Sequence, residues 1–314
     1  MSKVVALARL TQPDFIKAAA TSGTAQLLTI PYSHYCEFSR WCLTAGGSIP
    51  FVEHAYAPGA HVLPTIALRV GGPTKHLSPS SFVQPVSRQD PSPSSPSSPS
   101  KPPRARPTSV PILVFPDGQV LTDSWQIAEA GLAPSGRSEI DAGLKVALDT
   151  EIAPLARQLA YVGLLAPRHA AHWQALCCGA GSVAYGTAWR LGLGSWLTAN
   201  MTDTFATDDA NAAEAADTQL MASFEAVERD HLAPLTNFGG TGQSFLGGAT
   251  PGLADFAMAA LAAPVVLPPR FCEGAYTDIF DAVARDDEVF ATQVARFRNT
   301  AVGQHTMRVY HDFR

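Results

Sequence analysis

A segment dominated by Pro and Ser, from Gly71 to Ser109, limits what this chain can fold into more than any other feature. Its middle reads DPSPSSPSSPS, from Asp90 to Ser100. This composition offers too little apolar surface to offset the entropy of ordering the chain, so we expect the segment to be disordered or polyproline-like. Because lengthening a surface loop costs only about 0.6 kcal/mol per doubling, it can be an insertion within a domain.

Charge is distributed unevenly along the 314 residues, which carry a net charge of −5. Between Arg69 and Arg106 six basic residues face one acid, a local balance of +5, which leaves −10 for the rest of the chain. We therefore expect no nucleic-acid partner. With 46% hydrophobic and 16% charged residues, the chain can bury large cores, and its length favours two domains.

The cysteines and histidines lack the spacing of a metal site. The five cysteines show no paired spacing of zinc sites or secreted disulfide frameworks. His169 and His172 can share a helical face but lack a third ligand nearby, so we predict packing and no metal. Cysteine usage also favours a reducing compartment.

No apolar run reaches the ~18 uninterrupted residues of a membrane helix, so no membrane span is predicted. We expect a cytoplasmic protein. The alternative is import into an organelle, because the extension over residues 1–24 contains Lys3, Arg9 and Lys17 against one acid, a composition similar to transit peptides.

The ordered chain before the insertion predicts a strand, a helix and a second strand. The apolar run Leu27 to Ile30 stops at Pro31, a helical pattern spans Ser33 to about Ala45, and Phe51 to Tyr56 alternates apolar and polar residues. After the insertion, Pro111 to Phe115 and Gln119 to Leu121 flank a Pro-Asp-Gly turn, which indicates a β-hairpin. Asp123-Ser124 then opens a helix.

From Ser138 onward the hydrophobic period is helical. Ser138 and Asp141 form a plausible capping pair for a long first helix, and further helices are expected over 169–178, 183–197, 210–231, 255–263 and 286–300. The domains predicted are the extension over 1–24, an α/β domain over 25–134 that contains the insertion, and an all-helical domain over 135–314.

Three local features sharpen this layout. Val110-Pro111 lies directly before a strand, Asp123-Ser124 lies at a helix start after a hairpin, and Pro31-Tyr32-Ser33-His34-Tyr35-Cys36 joins the first strand to the first helix. With them, the chain resembles the cytosolic glutathione transferase family over roughly residues 25–300 without the insertion. The resemblance is closest to the serine-type or a related class. It implies a thioredoxin-like N-terminal domain followed by an all-helical C-terminal domain, that is, an α/β plus all-α fold.

The resemblance also implies how glutathione would be held. The family's proline is cis, so Val110 would pair with the cysteinyl backbone of glutathione beside Pro111. Ser124 and the free N–H groups of its helix would hold the γ-glutamyl carboxylate, and Asp123 would meet the ammonium group. The plainer alternatives are an ordinary strand-entry proline and an Asp123 or Ser124 that only caps the helix.

Ser33 aligns best with the family's catalytic position. A thiol with a pKa of about 8.5 needs stabilisation as the thiolate, which a hydroxyl at a helix N-terminus can supply. This chain has His34 where the family has proline, and this difference weakens the assignment of Ser33 as the catalytic residue. Tyr32 is the alternative hydroxyl. Cys36 would be the reactive group of a glutathione-dependent thiol reductase, although simple packing of Cys36 is the favoured interpretation.

A supporting feature lies in the second domain. The segment from Phe245 to Phe256 resembles the family's capped buried helix, with Gly252 at the cap position, where the family has Ser or Thr, and Asp255 three residues on. Its role would be in folding.

The sequence therefore predicts an enzyme of detoxification type that joins the sulfur of reduced glutathione to an apolar electrophile. The alternatives are a non-catalytic glutathione transferase-like binding or scaffold protein and the reductase acting through Cys36. The resemblance implies a homodimer, and the Pro-rich insertion could dock an adaptor domain, although a solvated linker is favoured.

Overall fold

The computed structural model describes residues 14–71, 109–179, 181–237, 245–274 and 277–314. Of the Pro/Ser-rich insertion only its end residues Gly71 and Ser109 are described, and of the extension over residues 1–24 only residues 14–24, so the disorder, the adaptor binding and the import signal stay predictions. In chain order the N-terminal elements are α1 (Phe15–Ser22), β1 (Ala25–Thr29), α2 (His34–Gly46), β2 (Phe51–Ala55), α3 (Val62–Gly71), β3 (Ile112–Val114), β4 (Val120–Leu121) and α4 (Ser124–Leu132).

The four strands form one mixed sheet in the order β2-β1-β3-β4. Strand β1 runs parallel to β2 and antiparallel to β3, and β4 is antiparallel to β3. Alternate side chains of β1 and β3 point to opposite faces: Leu27 and Leu113 pack with α2 and α4, whereas Leu28 and Ile112 pack with Phe15 of α1. Both faces of the sheet are therefore covered.

The remaining chain is helical. Its elements are α5 (Ala142–Ala147), α6 (Ala153–Leu164), α7 (Ala170–Cys178), α8 (Val183–Ala188), α9 (Gly194–Phe205), α10 (Ala210–Val227), α11 (Ala233–Asn237), α12 (Leu253–Val266), α13 (Thr277–Asp286), α14 (Glu288–Arg298) and α15 (Ala301–Phe313). A small mixed sheet followed by a helical domain confirms the predicted fold class. No helix within the described ranges is long and apolar enough to cross a membrane. The domain boundaries themselves stay a prediction.

The first long helix of the second domain does not begin at Ser138. It begins at Ala142, and Asp141 is its N-cap, with Oδ1 accepting a hydrogen bond from the Leu144 N–H (2.9 Å). A wider π-turn over Leu148–Ile152 then separates α5 from α6. Pro154 follows that turn, and because proline has no N–H and its ring clashes with the preceding turn, the widened backbone accommodates it.

Helices α2 and α4 approach each other at two glycines. A Cβ added to Gly131 would lie 2.9 Å from the Cys42 carbonyl oxygen, and one added to Gly46 would clash with the Gly131 carbonyl oxygen. The backbones can come this close only because neither residue has a side chain. This contact holds together the two helices whose N-cap residues are Ser33 and Asp123.

His169 and His172 of the second domain make protein contacts. His169 Nε2 lies 3.1 Å from Asp287 Oδ2, and His172 Nε2 lies 4.0 Å from Asp286 Oδ2. Asp287 is also the N-cap of α14. The pair therefore joins α7 to the α13–α14 corner.

Asp255, fully buried at the start of α12, organises the backbone around it. Its Oδ1 accepts a hydrogen bond from the Leu246 N–H (2.8 Å), and its Oδ2 accepts from Gly247 (2.8 Å) and Gly252 (2.9 Å). His305 Nε2 lies 3.0 Å from Oδ1. A Cβ on Gly252 would lie 3.1 Å from the Arg137 carbonyl oxygen, which explains the glycine where the family has Ser or Thr.

Replacing Asp255 with Ala should destabilise the fold by about 3 kcal/mol, because three N–H groups, of which that of Gly252 is buried, lose a charged acceptor. The matched control is Asp209→Ala, which removes an N-cap that accepts from two N–H groups of α10 and should cost about 1 kcal/mol. Urea unfolding of both variants checks this. Equal losses would contradict the organising role of Asp255.

Candidate functional site

A cavity of about 230 Å³ opens between the sheet domain and the helical domain. From the first domain it is lined by the β1–α2 loop, by Pro58, Gly59 and His61 after β2, and by Ser109 and Val110 before β3. From the second domain it is lined mainly by one face of α6, by residues of α9 and by aromatic side chains. The wall from the first domain is thus formed by loops and polar backbone groups, whereas the wall from the second domain is mostly apolar.

The peptide bond between Val110 and Pro111 is cis, as the resemblance implies. Val110 lines the cavity, whereas Pro111 is buried behind it. The pairing of β3 with β1 starts at Ile112, which faces Leu28. Val110 therefore lies just beyond the paired part of the strand, where an extended peptide has room to align with the backbone.

Ser33 is the N-cap of α2 and lines the same cavity. Its Oγ accepts a hydrogen bond from the Cys36 N–H at 3.4 Å. Accepting this bond leaves the hydroxyl hydrogen able to donate in another direction. The side chain is half-buried at the positive end of a helix dipole, a position that favours a nearby anion.

Asp123 and Ser124 open α4 but do not line the cavity. Asp123 is the N-cap, and its Oδ1 accepts from the Trp125 N–H (3.0 Å) and the Gln126 N–H (3.2 Å). Ser124 is buried, and its carbonyl accepts from Ser39 Oγ (3.3 Å). Of the predicted site residues, the structure brings Ser33 and Val110 together, while Pro111, Asp123 and Ser124 lie outside the cavity lining.

Tyr32, the alternative hydroxyl, lines the cavity with its oxygen 3.7 Å from Cys177 Sγ. Burial, together with Cys177, raises the pKa of the Tyr32 phenol well above its ordinary value, so the group stays protonated. Its ring contacts Trp173 edge-on at 6.3 Å. Tyr32 thus links the β1–α2 loop to α7.

Cys36 is fully buried in α2, and its Sγ accepts a hydrogen bond from the Ile30 N–H at 3.5 Å. Burial raises the pKa of its thiol to about 11, although Ser33 and the Ile30 N–H act in the opposite direction. A thiol in this state is protonated at neutral pH and unreactive. This environment argues against a reductase acting through Cys36.

Two further basic residues line the cavity: His34, which belongs to the Pro31–Cys36 motif, and Arg157, which no motif marks. His34, the first residue of α2, is buried, with its ring 4.2 Å from the Tyr35 ring. Burial, and then the charge of Arg157, lower the pKa of His34 well below its usual value, so the imidazole is neutral. The Arg157 guanidinium lies 4.8 Å from the Phe205 ring centre and 5.7 Å from that of Tyr35.

Within the described part of the chain, no group of three or more His, Cys, Asp or Glu side chains could hold a metal ion. The polar groups that line the cavity are serine, threonine and tyrosine hydroxyls, the imidazoles of His34 and His61, the Arg157 guanidinium and the backbone beside Val110.

No protein-family model matches the chain, and no curated protein matches it. Among solved structures, it is similar to a glutathione S-transferase of Ceriporiopsis subvermispora in complex with glutathione, at 15% identity over 88% of this chain and 96% of that chain, with a TM-score of 0.42. A glutathione transferase from Phanerochaete chrysosporium is similar at 15% identity over 93% and 97%, with a TM-score of 0.46. Similarity at this level transfers neither activity nor ligand.

Iodoacetamide at pH 8 should alkylate native Cys178 first, because Cys178 is the partly exposed cysteine and the other four are buried. Peptide mapping by mass spectrometry over a time course checks this order, and the urea-unfolded chain, in which all five should react alike, is the control. Early labelling of native Cys36 would contradict the buried thiol described above.

Proposed function

We propose that this protein binds reduced glutathione in the cavity between its two domains and joins the glutathione sulfur to an apolar electrophile. The observation that carries the proposal is the meeting of Ser33 and Val110 in one cavity: a hydroxyl at a helix N-terminus faces the same space as the backbone that precedes a cis proline. The mostly apolar wall from the helical domain supplies the place for the second substrate.

In this proposal the cysteinyl backbone of glutathione aligns with Val110 as an added strand would. The γ-glutamyl end extends beyond the cavity lining to the start of α4, where Ser124 holds its carboxylate together with the N–H groups at the helix start that do not already donate to Asp123. Asp123 meets the ammonium group with the carboxylate oxygen that does not cap the helix. The cap and the binding role are compatible, since a carboxylate has two oxygens.

Ser33 would act on the thiol. The hydroxyl donates a hydrogen bond to the thiolate, and the dipole of α2 adds favourable potential, so the thiol loses its proton to solvent more readily. The thiolate then attacks the electrophilic carbon and forms the C–S bond. In a substitution the leaving group departs with its bonding electron pair; in an addition the electron pair of the broken π-bond moves to the adjacent atom, which takes up a proton from solvent.

A second candidate is a binding protein that retains glutathione without turning it over. The observation that favours it is His34, a buried residue at the position where the resemblance implies proline, directly beside Ser33. The homodimer and the cytoplasmic location stay predictions under either function.

Replacing Ser33 with Ala should lower kcat/KM for conjugation of 1-chloro-2,4-dinitrobenzene by roughly a hundredfold, because one preorganised donor to the developing anion is lost. Glutathione affinity, measured by calorimetry, should change less than threefold. The matched control is Tyr32→Phe, which removes the alternative hydroxyl.

If Tyr32→Phe abolishes turnover and Ser33→Ala does not, Tyr32 is the donor instead. Glutathione binding by the wild type without any turnover would favour the binding-protein function. No binding at millimolar glutathione would contradict both functions.

A further inference from the structure

Tyr161 places a hydroxyl on the wall that the helical domain contributes to the cavity. It lies on α6 beside Ala160 and one turn before Leu164, and all three residues line the cavity. Its ring lies 4.8 Å from the Phe205 ring and contacts the Trp173 ring edge-on at 6.1 Å, between ring centres. Contacts with two rings restrict the orientation of the phenol.

The Tyr161 hydroxyl makes no hydrogen bond within the described part of the chain. It also remains accessible, unlike the Tyr310 hydroxyl, which is enclosed in the core without a partner. The Tyr32 hydroxyl of the same cavity differs, because it lies 3.7 Å from Cys177 Sγ. A polar group beside an apolar wall is favourable only when it finds a partner, so we expect the partner of Tyr161 to belong to a molecule that the cavity binds.

Trp173 connects this hydroxyl to the residues around Ser33. The Trp173 ring contacts the Tyr32 ring at 6.3 Å as well as the Tyr161 ring at 6.1 Å. Tyr32 directly precedes Ser33, and Ser33 and Tyr161 line one cavity. A compound that packs against α6 and extends to Ser33 can therefore meet the Tyr161 hydroxyl.

Tyr161 is a hydrogen-bond donor at neutral pH. Burial raises the pKa of its phenol to about 12, although the charge of Arg157, one turn earlier in α6, acts in the opposite direction. A protonated phenol can donate to a carbonyl oxygen, and its hydrogen bond becomes stronger when that oxygen gains negative charge.

We propose that Tyr161 is a further catalytic residue and that the second substrate is an apolar compound whose reactive carbon is conjugated to a carbonyl group. That this compound reacts rests on the proposed function above; that the cavity binds a carbonyl-bearing apolar compound rests on the cavity alone. The Tyr161 hydroxyl donates to the carbonyl oxygen, while the rings of Phe205 and Trp173 bound the space for the apolar part.

The reaction in this proposal is an addition. The glutathione thiolate forms a C–S bond to the β-carbon, and the electron pair of the C=C bond moves toward the carbonyl to give an enolate. Negative charge therefore develops on the oxygen that accepts the hydrogen bond from Tyr161, and this bond stabilises the transition state. The α-carbon then takes up a proton from solvent, and Tyr161 keeps its own.

The first test compares turnover of two electrophiles by wild type and Tyr161→Phe. One is 4-phenylbut-3-en-2-one, an aromatic enone; the other is 4-nitrobenzyl chloride, in which chloride leaves with the electron pair and no carbonyl oxygen gains charge. For the variant, kcat/KM should fall roughly tenfold or more with the enone and less than threefold with the chloride, because one donor to the developing anion is lost. The variant should fold, since the hydroxyl has no protein partner to lose.

The second test measures binding without glutathione, by tryptophan fluorescence. The saturated ketone 4-phenylbutan-2-one keeps the carbonyl, and butylbenzene keeps only the ring and the chain. Tyr161→Phe should weaken binding of the ketone about fivefold and change binding of butylbenzene less than twofold, because one hydrogen bond is lost. The matched control is Tyr56→Phe, which removes a tyrosine hydroxyl outside the cavity lining and should change neither turnover nor affinity.

Equal losses with both electrophiles, or unchanged turnover of the enone, would overturn the proposal. So would a loss of enone turnover in Thr204→Val, which removes another hydroxyl of the lining, without a loss in Tyr161→Phe. If wild type turns over the chloride but not the enone, the proposal is wrong and the proposed function stands. If wild type turns over neither but binds the ketone through Tyr161, the transferase function and the catalytic role fall together, and only the carbonyl-binding site remains.

Discussion

Helix α2 is buried from Cys36 to Leu43 together with its charges, and the position of the site depends on it. Glu37 is fully buried and Arg40 is 6% exposed. Arg40 pairs with Glu37 (2.5 Å) and with Glu53 of β2 (2.6 Å), and Glu37 also accepts hydrogen bonds from Arg314 (3.0 and 3.1 Å). Because an unpaired buried charge costs several kcal/mol, these residues stabilise one arrangement of the helix, the sheet and the last residue described.

Aromatic side chains also connect α2 to the helical domain. Trp41 of α2 contacts Phe256 of α12 at 5.1 Å and Tyr310 of α15 at 4.5 Å, between ring centres. On its other side α2 meets α4 at the glycine contact. A helix held in this way cannot shift without disturbing both cores, so Ser33 at its start keeps a defined place opposite α6. The cleft is the space left between two domains that α2 joins.

Local signals in the sequence predicted most elements of the first domain. The Pro-Asp-Gly turn, the caps Ser33 and Asp123 and the proline before β3 are short-range features, and the elements they mark lie within a residue or two of their expected bounds. Helices α1 and α3 were not predicted. Helix α3 contains Pro64 and is followed directly by the Pro/Ser-rich segment, so the local composition does not indicate a helix there.

Other features depend on contacts distant in sequence. Ser138 and Asp141 are both good caps, and only the packed structure decides that Asp141 is used. No sequence motif marks Arg157, because the rings beside it, Tyr35 and Phe205, come from distant parts of the chain. The sequence could indicate Asp123 and Ser124 as binding residues, but their place outside the cavity lining depends on how α4 packs against α2.

A crystal structure of the protein with reduced glutathione tests the central claim most directly, since the claim is that glutathione binds between Ser33 and Val110. The account predicts the sulfur within hydrogen-bonding distance of Ser33 Oγ and the cysteinyl backbone paired with Val110. Glutathione bound elsewhere, or a sulfur directed away from the start of α2, would contradict it.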